Sequence, residues 1–297
     1  MSKITQALEK AARERLQAQH EPVTVPSTPV TVPIAPAAVP AAPFVGPRIR
    51  EIAEAGEIQV DPHIVSANDS TSPIAEQYRI LCTNLKPLRS RSGPKVILVT
   101  SAVNGEGKSV TSINLALTFA RHEHLRVVLV DADMRKSSVP RWLGLRDRRH
   151  GLSAALQHGG ELNNGSLMSL QSPKLTVLPA GPAVSHPAEL LESVAMKRLL
   201  ATLKTQFDLI IVDAPPVLPV TDPGILASQA DGVLLVVRAG KTQRKTVIAA
   251  QELLKKARAN LLGCVLTHVE YYLPGYAKYY QHYYRSAKQN GAIPETN

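Results

Sequence analysis

Residues 95–120, KVILVTSAVNGEGKSVTSINLALTFA, decide the fold of this chain. The first seven residues are mostly β-branched and aliphatic, which favours a buried strand. From Ser109 onward, apolar side chains recur at helical spacing. Between these segments lies AVNGEGKS, residues 102–109, which differs from the phosphate-loop pattern GxxxxGK[ST] only by Ala102 at the first glycine. The stretch therefore predicts a strand, a phosphate-binding loop and a helix.

The loop contains the groups that bind nucleotide phosphates. Gly105 and Gly107 let backbone amides turn toward an anion, and the helix N-terminus adds positive potential. Lys108 is expected to contact the β- and γ-phosphates, and the Ser109 hydroxyl is expected to ligate Mg²⁺. An ordinary glycine turn with a solvated lysine is the alternative, and the strand-loop-helix context argues against it. We predict that ATP and Mg²⁺ bind here through Asn104, Gly105, Glu106, Gly107, Lys108, Ser109 and Val110.

The chain continues the same alternation as far as Glu270. Runs rich in Val, Ile and Leu alternate with segments of helical periodicity. This pattern predicts an α/β fold with a mainly parallel sheet flanked by helices, and ligands in such folds bind at the carboxyl ends of the strands. The strand-like runs are 95–102, 126–133, 174–181, 207–216, 231–240 and 260–268, and the helical segments are 109–122, 187–206, 221–230 and 242–259.

Carboxylates stand at the ends of two predicted strands. Asp131 and Asp133 follow the run VVLV, and Asp213 follows LIIV. Two carboxylates two residues apart at a strand end point the same way, so they can address a metal-bound water shell and an incoming hydroxyl group together. A carboxylate at a later strand end is also what a phosphate-loop enzyme needs to hold Mg²⁺. We predict Ser109, Asp133 and Asp213 as the magnesium residues; the alternative is that the paired carboxylates only cap the next helix.

Together these motifs resemble the deviant phosphate-loop ATPases and, within them, the bacterial tyrosine kinases of capsule and exopolysaccharide assembly. The resemblance spans residues 74–284. The family's hydrophobic-DxDxR segment is matched by Asp131, Asp133 and Arg135, and its hydrophobic-DxxP segment by Asp213 and Pro216. The stretch LPAGPAVSHPAELLES, residues 178–193, is similar to the family's LPAGPxPxNPAELL. The first residues, MSKITQALEKA, further resemble the kinases associated with exosortase and PEP-CTERM loci.

Two positions depart from the patterns of related proteins. Val103 stands where the cell-division and plasmid-partition relatives have a signature lysine, which argues against a partition protein. The family's self-assembly motif ExxRxxR is matched by Glu76 and Arg79, but Cys82 replaces the last arginine. Cysteine cannot form a bidentate contact with a carboxylate, so we expect weaker self-association than the family pattern implies.

The resemblance implies an ATP-dependent protein-tyrosine autokinase that regulates exopolysaccharide or capsule biosynthesis and export. Lys108, Asp131 and Asp133 are the expected catalytic residues. We expect Asp131 to orient or deprotonate the acceptor phenol, which is protonated at neutral pH because its unperturbed pKa is about 10. The roles of Asp131 and Asp133 could be exchanged. The family also implies a membrane polysaccharide copolymerase, or chain-length regulator, as the activator, and neighbouring copies of the chain as partners.

A tyrosine-rich tail gives a second and independent signal. Seven of the eight tyrosines fall within fourteen residues, at Tyr271, Tyr272, Tyr276, Tyr279, Tyr280, Tyr283 and Tyr284. A segment that packed into a core would mix in Phe, Leu or Ile, so we predict that these tyrosines are the phosphoacceptors. Phosphoryl transfer to a neighbouring molecule is favoured because a tail does not easily fold back into its own site. A packing or interface segment and a base-stacking platform are the alternatives.

The composition along the chain predicts its division into segments, its cellular compartment and the charge of its partners. The segments expected are an amphipathic helix over 1–20, a proline-rich linker over 21–70, the kinase domain over 71–269 and the tail over 270–297. Two distant cysteines and no signal-like or membrane-spanning run predict a cytoplasmic protein, recruited to the inner face of the membrane. The formal charge of +10 indicates an anionic partner, which could be nucleic acid, a phosphorylated ligand or acidic lipid, and the charge alone does not choose among them. With the family resemblance added, peripheral membrane contact is a candidate and nucleic acid is not expected.

Two other function classes remain open from the residues alone. One is an ATP-switched assembly or partition ATPase that phosphorylates no protein; the tyrosine tail and Val103 argue against it. The other is a basic nucleic-acid-binding ATPase, which would bind DNA or RNA with a steep salt dependence.

Overall fold

The computed structural model describes residues 50–51, 60–89, 95–123, 125–145, 150–170 and 175–269 of the 297-residue chain. The predicted N-terminal helix, most of the predicted linker and the tyrosine tail lie outside these residues. The strands are β1 (Arg50–Glu51), β2 (Lys95–Ser101), β3 (Val127–Asp131), β4 (Met168–Leu170), β5 (Leu175–Leu178), β6 (Leu209–Asp213), β7 (Gly232–Arg238) and β8 (Leu261–Thr267).

The helices alternate with the strands along the chain. They are α1 (Val65–Asn68), α2 (Pro73–Arg89), α3 (Lys108–His122), α4 (Val139–Trp142), α5 (Leu152–Gln157), α6 (Pro187–Glu192), α7 (Val194–Gln206), α8 (Asp222–Ala227) and α9 (Arg244–Lys256).

One sheet joins all the described strands in the order β1-β4-β5-β3-β6-β2-β7-β8. Every neighbouring pair is parallel except β4 and β5, which are antiparallel. The predicted α/β class with a mainly parallel sheet is therefore confirmed. Strands β1 and β4 were not predicted, because two or three residues are too short to show an alternating or continuous apolar pattern.

Apolar side chains of the central strands alternate between the two faces of the sheet. Leu98 and Val130 pack with α5, α6, α7, α8 and α9 in one buried cluster. Ile97 and Leu129 pack with α2, α3 and α4 in the other. Because both faces are covered, the inner strands β3 and β6 are buried at every position, as expected for parallel strands in this class.

Two boundaries differ from those predicted from the sequence. The helical segment 187–206 is divided at Ser193, whose extended backbone ends α6 and whose hydroxyl accepts a hydrogen bond from the Met196 amide to begin α7. Residues 60–70, assigned above to the linker, pack on the domain: Ile64 is fully buried, and the Ser66 amide donates to Asn114 Oδ1 at 2.9 Å. The folded region therefore begins before residue 71. Within the described ranges, no helix has both the length and the hydropathy needed to span a bilayer.

Candidate active site

The strand order brings the predicted site residues to one edge of the sheet. The phosphate loop connects β2 to α3, and β6 and β3 lie on one side of β2. Asp213 is the register partner of Val99 in β2 and of Asp131 in β3. The two strand-end carboxylates and the start of the loop therefore lie side by side, as the phosphate-loop pattern requires.

Lys108 lies between two of these carboxylates. Its Nζ is 2.7 Å from Asp133 Oδ2 and 3.8 Å from Asp213 Oδ2. Burial lowers the pKa of Lys108, but the charges of Asp213 and Asp133 outweigh it and hold the pKa above its ordinary value. The side chain is consequently a cation whose charge is balanced inside the site.

Asp213 is fully buried and is held by hydroxyl groups of α3. The Ser109 hydroxyl donates to Asp213 Oδ2 at 2.6 Å, and Ser112 Oγ lies 3.0 Å from Asp213 Oδ1. Burial raises the pKa of Asp213, opposed by the nearby Lys108 and by these two hydroxyls. The arrangement places Ser109 and Asp213, two of the predicted magnesium residues, in direct contact.

Asp131 is also fully buried but has different partners. The Ser137 hydroxyl donates to its Oδ2 at 2.8 Å, and the Asp133 amide donates to its Oδ1 at 3.2 Å. Burial and the neighbouring Asp213 raise the pKa of Asp131 to about 7. A carboxyl group that titrates near neutral pH is suited to accept a proton from a substrate hydroxyl.

The side chain of Glu106 holds the phosphate loop in place through hydrogen bonds. Gly105 and Gly107 adopt left-handed backbone conformations, with φ of 81° and 92°. Between them the buried Glu106 carboxylate accepts hydrogen bonds from the Val103 amide at 2.8 Å, the Arg238 amide at 3.3 Å and the Thr242 hydroxyl. The sequence placed Glu106 among the nucleotide-binding residues, and the structure gives its side chain this supporting position. The side chain of Val110 is partly buried and packs against the core, so the contact predicted for this residue would be made by its backbone.

Several residues of the site had no signal in the sequence. Asp222 is fully buried at the start of α8 and receives a bidentate ion pair from Arg135, at 2.8 and 2.9 Å. In the sequence, Thr-Asp-Pro-Gly at 221–224 indicates only a helix start. The hydroxyls of Ser112 and Ser137 were missed for the same reason, since serine close to a loop or a helix start is common.

The donor set fits magnesium bound together with a nucleotide. Among the residues that the structure describes, no group of three or more His, Cys, Asp or Glu side chains is arranged to hold a metal ion. Mg²⁺ is typically bound by one or two carboxylates together with substrate phosphates and waters. One hydroxyl and two carboxylates beside a phosphate loop match that chemistry, whereas they would not form a complete protein cage.

The α2 residues that match the self-assembly motif make contacts within the chain. The Arg79 guanidinium pairs with the Glu76 carboxylate one turn earlier, and its Nη1 donates to the Ser70 carbonyl at 2.6 Å. Cys82 is buried and belongs to the core cluster beneath α2. The third position of the motif therefore faces inward in this chain.

Comparison with known proteins agrees with this geometry. The ParA family model, described as a NUBPL iron-transfer P-loop NTPase, matches residues 93–292. The tyrosine-protein kinase YwqD of Bacillus subtilis is 35% identical over 204 residues, which are 69% of this chain and 85% of YwqD.

Two solved structures are also similar. The chimerical protein CapA2B2 has 32% identity and a TM-score of 0.64, with 70% of this chain and 91% of that one covered. The kinase domain of the Escherichia coli tyrosine kinase ETK has 28% identity and a TM-score of 0.65, with 68% and 78% covered. The chain therefore belongs to the ParA-type phosphate-loop NTPases and, within them, to the bacterial tyrosine kinase family of capsule and exopolysaccharide assembly.

Proposed function

We propose that this chain, a protein-tyrosine kinase by family, is an autokinase that transfers a phosphoryl group from Mg·ATP to tyrosines of its own C-terminal tail. The observation that carries the proposal is the convergence of Lys108, Asp133 and Asp213 at the phosphate loop. Lys108 Nζ lies 2.7 Å from Asp133 Oδ2 and 3.8 Å from Asp213 Oδ2, and the Ser109 hydroxyl donates a hydrogen bond to Asp213. Phosphoryl transfer depends mainly on positioning and on neutralising charge, which is what this cluster can do.

The position of each site residue indicates its proposed role in binding Mg·ATP. ATP would supply the phosphoryl group, and Mg²⁺ would neutralise its charge. Ser109, Asp133 and Asp213 are the residues that would hold the metal, directly or through water. Lys108 would turn from Asp133 toward the phosphates, a movement of one flexible side chain. The amides of Gly105 and Gly107 would bind phosphate oxygens.

Asp131 is the residue we assign to the acceptor. Its pKa of about 7, raised by burial, means that a substantial fraction is ionised at neutral pH and can accept the phenolic proton. The proposed acceptors are the seven tail tyrosines, at 271, 272, 276, 279, 280, 283 and 284. The eighth, Tyr78, lies in α2 outside the tail, and burial raises its pKa above the ordinary value, so we do not assign it as an acceptor.

A membrane polysaccharide copolymerase is the proposed activator, and the inner face of the membrane is the proposed place of action. Family membership and the likeness to the CapA2B2 chimera support this partner. Transfer between neighbouring copies of the chain is proposed because the acceptor tail follows β8 in the sequence and does not easily fold back into the transfer site of its own domain.

The second candidate function is an ATP-switched assembly ATPase without kinase activity. The match to the ParA family model favours it, because that model describes a phosphate-loop NTPase and not a kinase. Val103 and the tyrosine cluster count against it.

Incubation of the purified full chain with Mg·ATP, followed by mass spectrometry, separates the two. The kinase is expected to accumulate several phosphotyrosines within 271–284. ATP hydrolysis without phosphotyrosine, even after addition of the membrane activator, would favour the assembly ATPase.

A further inference from the structure

A cavity of about 330 Å³ lies beside the phosphate loop, on the side away from Asp131, Asp133 and Asp213. Its lining includes Asn104, Gly105 and Glu106 of the loop, Arg238 at the end of β7, and Lys241 and Thr242 before α9. In the sheet, β7 adjoins β2 on the side opposite to β6 and β3. The cavity and the Asp131, Asp133 and Asp213 cluster therefore flank the loop from opposite sides.

The charge of this cavity is positive. Neither Arg238 nor Lys241 makes a side-chain hydrogen bond or ion pair to another residue in the described ranges. Glu106 is the one acid in the lining, and its carboxylate is already occupied by the Val103 amide, the Arg238 amide and the Thr242 hydroxyl. Two available cations and no available carboxylate favour an anionic ligand with several acceptor oxygens.

The last residue of β8, shortly before the tyrosine tail in the sequence, lies next to this cavity. Strand β8 ends at Thr267, whose hydroxyl donates to the Glu106 carbonyl at 2.8 Å. Tyr271 follows four residues later, and a chain extends at most about 3.6 Å per residue, so this tyrosine can reach about 14 Å from Thr267. The first tail tyrosines are thus within reach of the cavity of their own molecule.

We propose that the cavity binds a phosphotyrosyl group of the tail. The inference rests on the proposed function, because it presupposes that the tail is phosphorylated. Unmodified, residues 270–297 contain three Lys and Arg against two Glu, so the tail has the same sign as the cavity. Each phosphotyrosine adds about −1.5 to −2 charges and three acceptor oxygens, which reverses that sign. Docking would then keep the modified tail on its own domain and away from the transfer site of a neighbour.

Isothermal titration calorimetry with synthetic peptides tests the site without any need for kinase activity. The peptide is residues 269–278, phosphorylated on Tyr271 and Tyr272, or unphosphorylated as control. The protein is the full chain with all seven tail tyrosines changed to phenylalanine, so that no internal phosphate competes. We expect binding of the phosphopeptide only, weakened about tenfold or more by Arg238→Ala or Lys241→Ala, because each removes a charged hydrogen-bond donor. Lys245→Ala, on α9 but outside the lining, is the matched control and should bind as the parent does.

A second titration, with ATP in place of the peptide, decides whether the cavity binds the phosphorylated tail or the phosphates of the nucleotide. If Arg238→Ala and Lys241→Ala weaken ATP binding as much as they weaken phosphopeptide binding, the cavity is part of the nucleotide site and the proposal fails. It also fails if both peptides bind equally, or if the two variants bind the phosphopeptide like the parent. Loss of autophosphorylation alone would contradict the proposed function, but the synthetic phosphopeptide would still report on the cavity.

Discussion

The side chain of Lys108 is the first at which the proposed mechanism can be tested. Lys108→Met removes the cation between Asp133 and Asp213 while keeping a side chain of similar length. We expect autophosphorylation to fall by about a hundredfold or more, since a charge aimed at the transferred group is lost. Phosphotyrosine is measured by mass spectrometry and folding by circular dichroism. Lys136→Met, at a nearby exposed position, is the control; equal activity in a folded Lys108 variant would contradict the assignment.

The two carboxylates of β3 should give different kinetic effects. Asp131→Asn removes the group proposed to accept the phenolic proton, so kcat should fall by about 10² to 10⁴ while ATP binding persists. Asp133→Asn removes a charge next to the metal site, so the loss should be largest at limiting Mg²⁺. Steady-state kinetics over a magnesium series separates these outcomes. Wild-type turnover in both variants would mean that the carboxylates are structural caps.

Glu106 gives a prediction about stability rather than chemistry. Glu106→Gln replaces an acceptor that serves three donors with an amide that must turn an N–H₂ group toward one of them. We expect the free energy of unfolding to fall by about 1–3 kcal/mol and the KM for ATP to rise more than kcat falls. Urea denaturation and kinetics provide the two measurements. Thr242→Val, which removes only one of the three donors, should have a smaller effect on both.

At the scale of elements, α2 shows why a sequence motif can be matched and yet do something else. Cys82 is buried in the core, so Cys82→Arg would restore the family pattern only by placing a guanidinium among apolar side chains. We expect this variant to lose about 3 kcal/mol or more of stability, because an unpaired buried charge is costly. Chemical denaturation measures the loss. An equally stable variant that sediments as a larger assembly would show instead that α2 can turn this position outward.

The elements that could be predicted from the sequence are those whose signals are local. Strands β2, β3 and β6 and helix α3 follow from continuous apolar runs and from motif spacing, and the strand-end positions of Asp131 and Asp213 follow from them. The Arg135–Asp222 ion pair joins positions 87 residues apart, and the bond from Arg238 to Glu106 spans 132. Partners at such separations are determined by strand order, which no local pattern records. Short strands and the packing of residues 60–70 on the domain were missed for the related reason that packing, not periodicity, forms them.

For the whole molecule, the decisive quantity is the change of charge on the tail. Seven phosphotyrosines would add about −10 to −14 charges, which is comparable with the formal +10 of the chain. We therefore predict a graded response, in which each added phosphate shifts the protein on an anion-exchange column. Changing all seven tyrosines to phenylalanine should leave ATP binding intact and abolish most autophosphorylation, whereas any single change should have a modest effect. Phosphate found mainly on Tyr78 would contradict this prediction.

The position of Lys108 between Asp133 and Asp213 has a consequence for the thermodynamics of nucleotide binding. The ligand-free site already contains its own counter-ion, so binding is an exchange of one ion pair for another and creates no new one. The enthalpy gained from the new ion pair between Lys108 and a phosphate is largely offset by the enthalpy lost when the ion pair between Lys108 and Asp133 breaks. The number of salt ions bound or released on nucleotide binding therefore stays nearly unchanged. The affinity for nucleotide should therefore depend only weakly on ionic strength, although the chain as a whole is strongly basic.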